Sequence, residues 1–592
     1  MTAAAPRPRA ATPARAWLKA LETTAAATRD PARTLGRAAE DWAAAYGDAA
    51  AVLSDGESFS FRALSARANA YARWALVAGF AKGDVVALMM GNRPDYFAVW
   101  LGLTQTGVVV ALLNPSLAGA ALAHCVEVAG ARAAIVEAPF AATCADAFAG
   151  LALELWRHGG EDGPRRLDRA VARLSGAALV ETERRATTLS DRALLIYTSG
   201  TTGLPKAAAV SHHRVVAWSH WFAGLADMGA DDRMYDCLPL CHSVGGVAAL
   251  PAALVNGGSV VIAGKFSASG FWRDVVRWDC TMFQYIGELC RYLVAAPSSV
   301  DERRHRLRLA CGNGLSADVW LAFTARFAIP QILEFYAATE GNLTLYNVEG
   351  KVGAIGRQPP FLAARDAVAI ARFDLDKEAP WRGPDGFGAR CDFDEVGEAL
   401  GRIGADASQR FEGYTESAET EKKILRDLFA PGDAWMRTGD LMRRDREGFY
   451  YFVDRIGDTF RWKGENVSTR EVAAALAAAP GVREAVVYGV AVPHADGKAG
   501  MAALAVDGAP DLEAIARAAS ALPRYARPLF LRIRPALEAT ATFKLVKRAL
   551  VAEGFDPAEV GEPLYVYDAA TDAYAPLDAE RHAAIARGDA RP

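Results

Sequence analysis

Glycine and proline cut this chain into short apolar runs separated by helical stretches, and that alternation constrains the fold more than any other feature. The stretch from Phe61 to Leu76 carries helical patterning that closes at Gly79, and Val85 to Met90, Val108 to Leu113 and Ala133 to Val136 are apolar runs of strand length. Such a rhythm predicts βαβ units and a parallel sheet whose strands are buried on both faces. Further strands are expected at Leu194 to Tyr197, Ser259 to Ile262, Leu307 to Ala310 and Gln331 to Phe335. The segment from Arg357 to Glu412, rich in Gly, Pro and Asp, reads as a small β-rich part. At 592 residues the chain exceeds the usual domain size several-fold, so more than one core is expected.

After Arg455 the texture changes. Ser468 opens a helix with Glu471 three residues on, a capping box. Two strands (Glu484 to Val492, Ala499 to Val506), a helix (Asp511 to Leu522) and a strand (Leu529 to Ile533) then make a separate α+β unit. The expected division is an N-terminal extension over 1–37, a large α/β domain over 38–455 and a small C-terminal domain over 456–592.

Composition narrows the function classes. With 66 basic and 70 acidic residues the net charge is −4, which lacks the basic footprint of a nucleic-acid binder. The longest apolar stretch, around Trp100 to Leu113, is broken by Thr104, Gln105 and Thr106 and is too short to span a bilayer. The first fifty residues lack the continuous apolar core of a signal peptide. Eight cysteines without paired spacing fit a reducing compartment, and Cys237, Cys241 and His242 do not have zinc or haem spacing.

Tyr197-Thr-Ser-Gly-Thr-Thr-Gly-Leu-Pro-Lys206 follows an expected strand. Its hydroxyls, its two glycines and a terminal lysine are the ingredients of a phosphate-binding loop, in which backbone N–H groups turn toward an anion and the ammonium adds charge. The spacing is not that of a Walker A loop. Only twelve of the 66 basic residues are lysines, so a lysine at this place stands out.

This run resembles the signature loop of the adenylate-forming superfamily, which includes acyl-CoA synthetases, luciferases and peptide-synthetase adenylation domains. Other motifs follow in that superfamily's order: Tyr336-Ala-Ala-Thr-Glu340-Gly-Asn342, Arg437-Thr-Gly-Asp440, Asp454-Arg455 and a late lysine, Lys544. The run from Phe449 to Val467, the asparagine at 342 and Thr542-Phe-Lys544 look most like the fatty-acid transport protein branch, the long- and very-long-chain acyl-CoA synthetases.

The resemblance implies an ATP-dependent ligase that forms acyl-AMP from a fatty acid and then passes the acyl group to CoA, with ATP, Mg²⁺ and CoA as cofactor and co-substrates. It implies that Lys206 with Thr198, Ser199, Gly200, Thr201, Thr202 and Gly203 holds the β- and γ-phosphates. Glu340 would take Mg²⁺, Thr339 the α-phosphate, Tyr336 and the Gly312-Asn313-Gly314 loop the adenine side, and Asp440 and Arg455 the ribose and phosphate. Lys544 would be the adenylating lysine on a C-terminal domain that rotates about Gly457 to present Lys463 and Gly464 for thioester formation. His242 stays open between a structural histidine and a group beside the acyl tunnel.

Two other outcomes remain: transfer to a carrier protein in place of CoA, and a lipid-uptake role through membrane association and trapping. The expected location is cytoplasmic, with peripheral association at the inner face of a membrane.

Overall fold

The apolar runs form two largely parallel sheets in the first of two compact units. The computed structural model describes residues 12–199, 204–365, 367–375, 377–462, 465–495, 497–539, 547–569 and 571–589. One unit holds residues up to Ala367 with Gly401–Arg426 and Ala434–Met436; the other holds Val368–Leu400, Asp427–Asp433 and Arg437 onward. The boundary expected between 455 and 456 therefore falls inside the second unit.

In the first unit, Glu154–His158, Ala131–Glu137, Val85–Met89, Val109–Leu112 and Arg192–Ser199 lie side by side in parallel. Pro205–Ser211 adds an antiparallel edge. The apolar stretch near Trp100 resolves into the helix Pro94–Gln105, buried at every one of its positions, followed by the strand Val109–Leu112. A helix apolar all round needs neighbours on every side. One of these is the helix Phe61–Val77, and Gly102 makes the approach possible, since a Cβ there would stand 2.3 Å from the Ala68 carbonyl oxygen. No described helix is long and apolar enough to cross a membrane.

The second sheet of this unit runs Ile332–Ala337, Leu309–Asn313, Met282–Ile286, Arg233–Asp236, Ser259–Ile262 and Ala50–Leu53, all parallel. The expected strand at Leu307 to Ala310 starts later and runs on through Gly312 and Asn313, because both continue the ladder beside Tyr285 and Ile286. One face of this sheet carries Met234, Met282, Leu309, Cys311 and Leu333, which share a core with Phe222 of the helix His212–Leu225. Ligands of such sheets bind at the carboxyl ends of the strands.

The helix Pro13–Ala27, in the stretch expected as an extension, packs along His212–Leu225. Trp17 is buried edge-on to Trp221 and Tyr346, at 5.9 and 5.8 Å between ring centres. At the crossing, a Cβ on Gly224 would lie 2.5 Å from the Ala20 Cα.

Asp95, in the first turn of Pro94–Gln105, is 1% exposed and takes a fork of bonds from Arg67 (2.9 and 2.8 Å), one from the Tyr71 hydroxyl (2.7 Å) and one from His158 Nε2 (2.7 Å). Burial alone would raise its pKa, but Arg67 and His158 together hold it well below the usual carboxylate range. A depressed carboxylate stabilises the fold above its unfolded pKa of about 3.9, and that contribution is lost as the pH falls toward the native value. Asp95→Asn leaves Arg67 without its counter-charge and is expected to cost about 3 kcal/mol at pH 7, with the gap to the parent narrowing in acid; urea unfolding at several pH values checks both.

In the second unit, Val482–Ala491, Lys498–Val506, Phe530–Arg534, Leu564–Asp568 and Ala573–Pro576 form a five-stranded sheet. The helix Thr469–Ala477 starts at Ser468, whose hydroxyl accepts from the Glu471 N–H as the capping box requires. Leu512–Ser520 is capped by Asp511.

Candidate active site

Antiparallel pairing of Arg192–Ser199 with Pro205–Ser211 sets Thr198 opposite Lys206 at the open end of the ladder. Gly200, Thr201, Thr202 and Gly203 lie outside the described residues, as does the side chain of Ser199. A third segment joins the outer edge. The Ala209 N–H donates to the Gly413 carbonyl (2.9 Å) and the Thr415 N–H to the Ala207 carbonyl (3.0 Å), so Tyr414 is placed beside the lysine.

Lys206 Nζ sits 2.5 Å from Glu419 Oε2 and 5.8 Å from the centre of the Tyr414 ring. Glu419 also pairs with Lys422, and its bonds to Lys206 and Lys422 pull its pKa down to about 2. The Tyr414 hydroxyl donates to Glu340 Oε1 at 2.8 Å, and Lys423 Nζ lies 3.9 Å from the same oxygen. Burial, then the Glu340 charge, pushes the phenol far up, while a bond with Thr198 opposes that shift. Thr198, Lys206 and Glu340, singled out in the sequence, thus meet through Tyr414, which was not. Neither Tyr414 nor Glu419 belongs to a recognised motif, and each lies some 200 residues from the loop it serves. Lys423 carried only its rarity as a signal.

The Thr339–Asn342 segment is fixed at both ends. Thr339 shares a hydroxyl contact of 3.0 Å with Ser243. The Gly341 carbonyl accepts from Arg214 (2.6 Å), a buried guanidinium 4.6 Å from the centre of the Trp218 ring. The Asn342 amide donates to the Arg402 and Gln409 carbonyls at 2.8 and 2.9 Å. Tyr336 is the penultimate residue of the strand Ile332–Ala337 just before this segment and is half-buried.

The loop Gly312-Asn313-Gly314 is held from beneath by Glu334. Its Oε1 accepts from the Gly314 N–H (2.5 Å) and the Leu315 N–H (3.1 Å), and its Oε2 takes the Tyr285 hydroxyl at 2.5 Å. Gly314 has φ +84°, and a Cβ on Gly312 would stand 2.3 Å from the Tyr285 carbonyl oxygen, so neither position tolerates a side chain easily. This brace was missed in the sequence reading, although an acid inside the apolar run Ile332 to Phe335 is the signal that could have found it. Asn313 Oδ1 is buried and has no hydrogen-bond partner among the described residues.

His242 precedes a π-helix, Ser243–Ala249, in which a Cβ on Gly246 would collide with the Leu240 carbonyl oxygen at 1.8 Å. Single π-turns of this kind concentrate at functional sites. Cys237 and Cys241 are buried free thiols.

Strands Ala434–Arg444 and Phe449–Arg455 pair Asp440 with Arg455, their charged groups 3.8 Å apart. Arg437 anchors the motif through Glu398, which is fully buried and bonded at 2.8 to 3.0 Å. Gly457 stands exposed in the turn that follows, where both the Asp458 and Thr459 N–H groups donate to the Arg455 carbonyl at 3.0 Å. A Cβ on Gly457 would meet nothing within 4 Å. Lys547 Nζ ties this turn to the next helix, 3.1 Å from Asp458 and 2.9 Å from the Thr469 hydroxyl. Lys463, Gly464 and Lys544 lie outside the described residues.

The AMP-binding enzyme family matches residues 39–365 and the AMP-binding enzyme C-terminal domain matches residues 471–544. Long-chain fatty acid transport protein 1 of Mus musculus is 42% identical over 90% of this chain and 84% of its own length. Long-chain fatty acid transport protein 6 of the same species is 41% identical over 89% and 86%. Among solved structures, ATP-bound MatB from Rhodopseudomonas palustris (TM-score 0.73, 23% identity, 87% of this chain and 98% of that one) and the anthranilate CoA ligase AuaEII with anthranoyl-AMP (0.75, 20%, 88% and 96%) share the fold. The chain belongs to the AMP-binding enzyme family, in its long-chain fatty acid transport protein branch.

Proposed function

We propose that this protein is an ATP-dependent ligase for long-chain or very-long-chain fatty acids. The fatty carboxylate oxygen attacks the α-phosphorus of ATP, the bond to pyrophosphate breaks, and acyl-AMP forms. The CoA thiolate then attacks the acyl carbon and AMP leaves. The observation that carries this reading is the convergence of Thr198, Lys206, Tyr414 and Glu340 beside the strand ends Ser199 and Pro205.

In this reading Lys206 and the loop hydroxyls bind the β- and γ-phosphates, and Thr339 donates to the α-phosphate. Tyr336 stacks on adenine, and the orphan Asn313 Oδ1 offers an acceptor to its amino group. Asp440 accepts from the ribose hydroxyls beside Arg455. Glu340 fits a hard cation: one carboxylate, steadied by the Tyr414 hydroxyl, leaves the remaining ligands to phosphate and water. Bound there, Mg²⁺ would offset phosphate charge. Lys544 supplies the positive charge between two anions in the first step, and Lys463 with Gly464 serves the second.

Glu419 occupies the lysine that the triphosphate needs. Glu419→Gln is expected to lower the KM for ATP about threefold by removing an internal competitor, the scale of a partly exposed ion pair, and steady-state kinetics at fixed fatty acid reads it. The function itself is tested by acyl-CoA formation with purified protein, ATP, Mg²⁺ and CoA over saturated acids from short to very long chain. Turnover confined to short or aromatic acids overturns the substrate assignment.

A further inference from the structure

Register pairing in the second sheet places two buried polar side chains next to each other on the face that packs against the helix His212–Leu225. Asp236 ends its strand opposite Gln284. Strand alternation puts Asp236 on the same face as Met234, and Gln284 on the same face as Met282. Asp236 is fully buried and Gln284 is 2% exposed. Asp236 Oδ1 accepts the Leu238 N–H at 3.1 Å, but Asp236 Oδ2 and Gln284 Nε2 have no hydrogen-bond partner among the described residues.

Two orphaned polar atoms on adjacent strands are costly unless something polar visits them. Burial raises Asp236 to about 8, and no basic group contributes to its surroundings. At neutral pH it is a carboxylic acid with an O–H to donate, and Gln284 has N–H to donate, so the pair suits an acceptor oxygen. Gln284 also lines a small, mostly apolar slit of about 10 Å³, room for a single water, together with Phe222, Met234, Ala248, Met282 and Cys311. Methionines are the side chains most able to repack around an entering chain. The slit lies under the strand ends that carry the Gly312–Gly314 loop, since Gln284 pairs with Cys311, the residue before Gly312.

We infer that Asp236 and Gln284 form a polar recognition point for the acyl chain, and that the preferred acids carry an oxo or hydroxyl oxygen on an otherwise apolar chain. This rests on the fatty acid–CoA ligase reading above and narrows its substrate class. A site built to bond a substrate oxygen discriminates strongly against the analogue lacking it, whereas an apolar pocket does so weakly.

The test compares kcat/KM for acyl-CoA formation from hexadecanoic acid with that from its oxo and hydroxy derivatives, the oxygen moved along the chain from C3 outward. The wild-type protein is expected to prefer one positional class at least tenfold over the plain acid. Gln284→Leu should bring the oxygenated-to-plain ratio to about one, while Asp236→Asn, which keeps a donor at the same place, should hold it within threefold of wild type. Because the ratio is taken within each protein, a loss of folded material does not imitate the result. Turnover of plain acids with no preferred oxygenated isomer in the wild type overturns the inference and leaves the two groups holding a water only. Absence of turnover with every acid overturns the ligase reading, and the inference falls with it.

Discussion

Lys544→Ala is expected to slow acyl-adenylate formation about a thousandfold, the cost of removing one group aimed at charge that develops only in the transition state. Attack of a carboxylate on the α-phosphate brings two anions together, and nothing on the fatty acid can offset that. Thioester formation from supplied acyl-AMP involves no such approach and should stay within a few-fold of wild type. Pyrophosphate exchange reads the first step, and acyl-CoA release from synthetic acyl-AMP reads the second. Equal loss in both would point to damage to the C-terminal fold and refute the assignment of the lysine to one step.

Gly457→Pro is expected to divide the two half-reactions in the opposite sense, with adenylation retained and overall acyl-CoA production reduced about a hundredfold. The turn at Gly457 has space for a side chain in every direction, so the glycine is not there to relieve crowding. What it supplies is backbone freedom between Arg455 and Asp458, and proline removes that by fixing φ near −65°. If the second step needs another arrangement of the C-terminal residues, a locked turn withholds it. Wild-type rates in both assays would place the pivot elsewhere.

The parallel sheets were legible because their strands are apolar on both faces and punctuated by glycine, a pattern few other structures produce. The capping box at Ser468 was legible for a local reason, since both partners lie within three residues. The helix Pro13–Ala27 was not, because its buried face is built from Ala16, Ala20 and Ala27 around one tryptophan, and small residues carry no hydrophobic signal until the partner helix is known. Alternation in Leu564–Asp568 carried a strand signal that the sequence argument did not use.

At the site, motifs identified the groups expected to touch nucleotide but not those that hold them. Thr198 and Lys206 lie in one short sequence motif, whereas Tyr414 reaches it through a backbone pairing that has no counterpart in local sequence, bringing Glu419 and Lys423 with it. Glu334 lay inside an expected strand, where its neighbours Leu333 and Phe335 masked it. Support of this kind is tertiary, and its residues become recognisable only once the strands that carry them are adjacent.

The near-contact of Gly224 with Ala20 makes the first helix an integral part of the large unit's core. A protein begun at residue 39, where the family match starts, would lose Trp17 and uncover Trp221, Tyr346 and the small-residue groove of His212–Leu225 to water. Such a trimmed protein should aggregate on expression, and fusing a solubility partner at residue 39 would hide the defect without curing it. Any effort to shorten this enzyme for crystallography is better begun before Thr12, so that the helix keeps its cap and the groove its occupant.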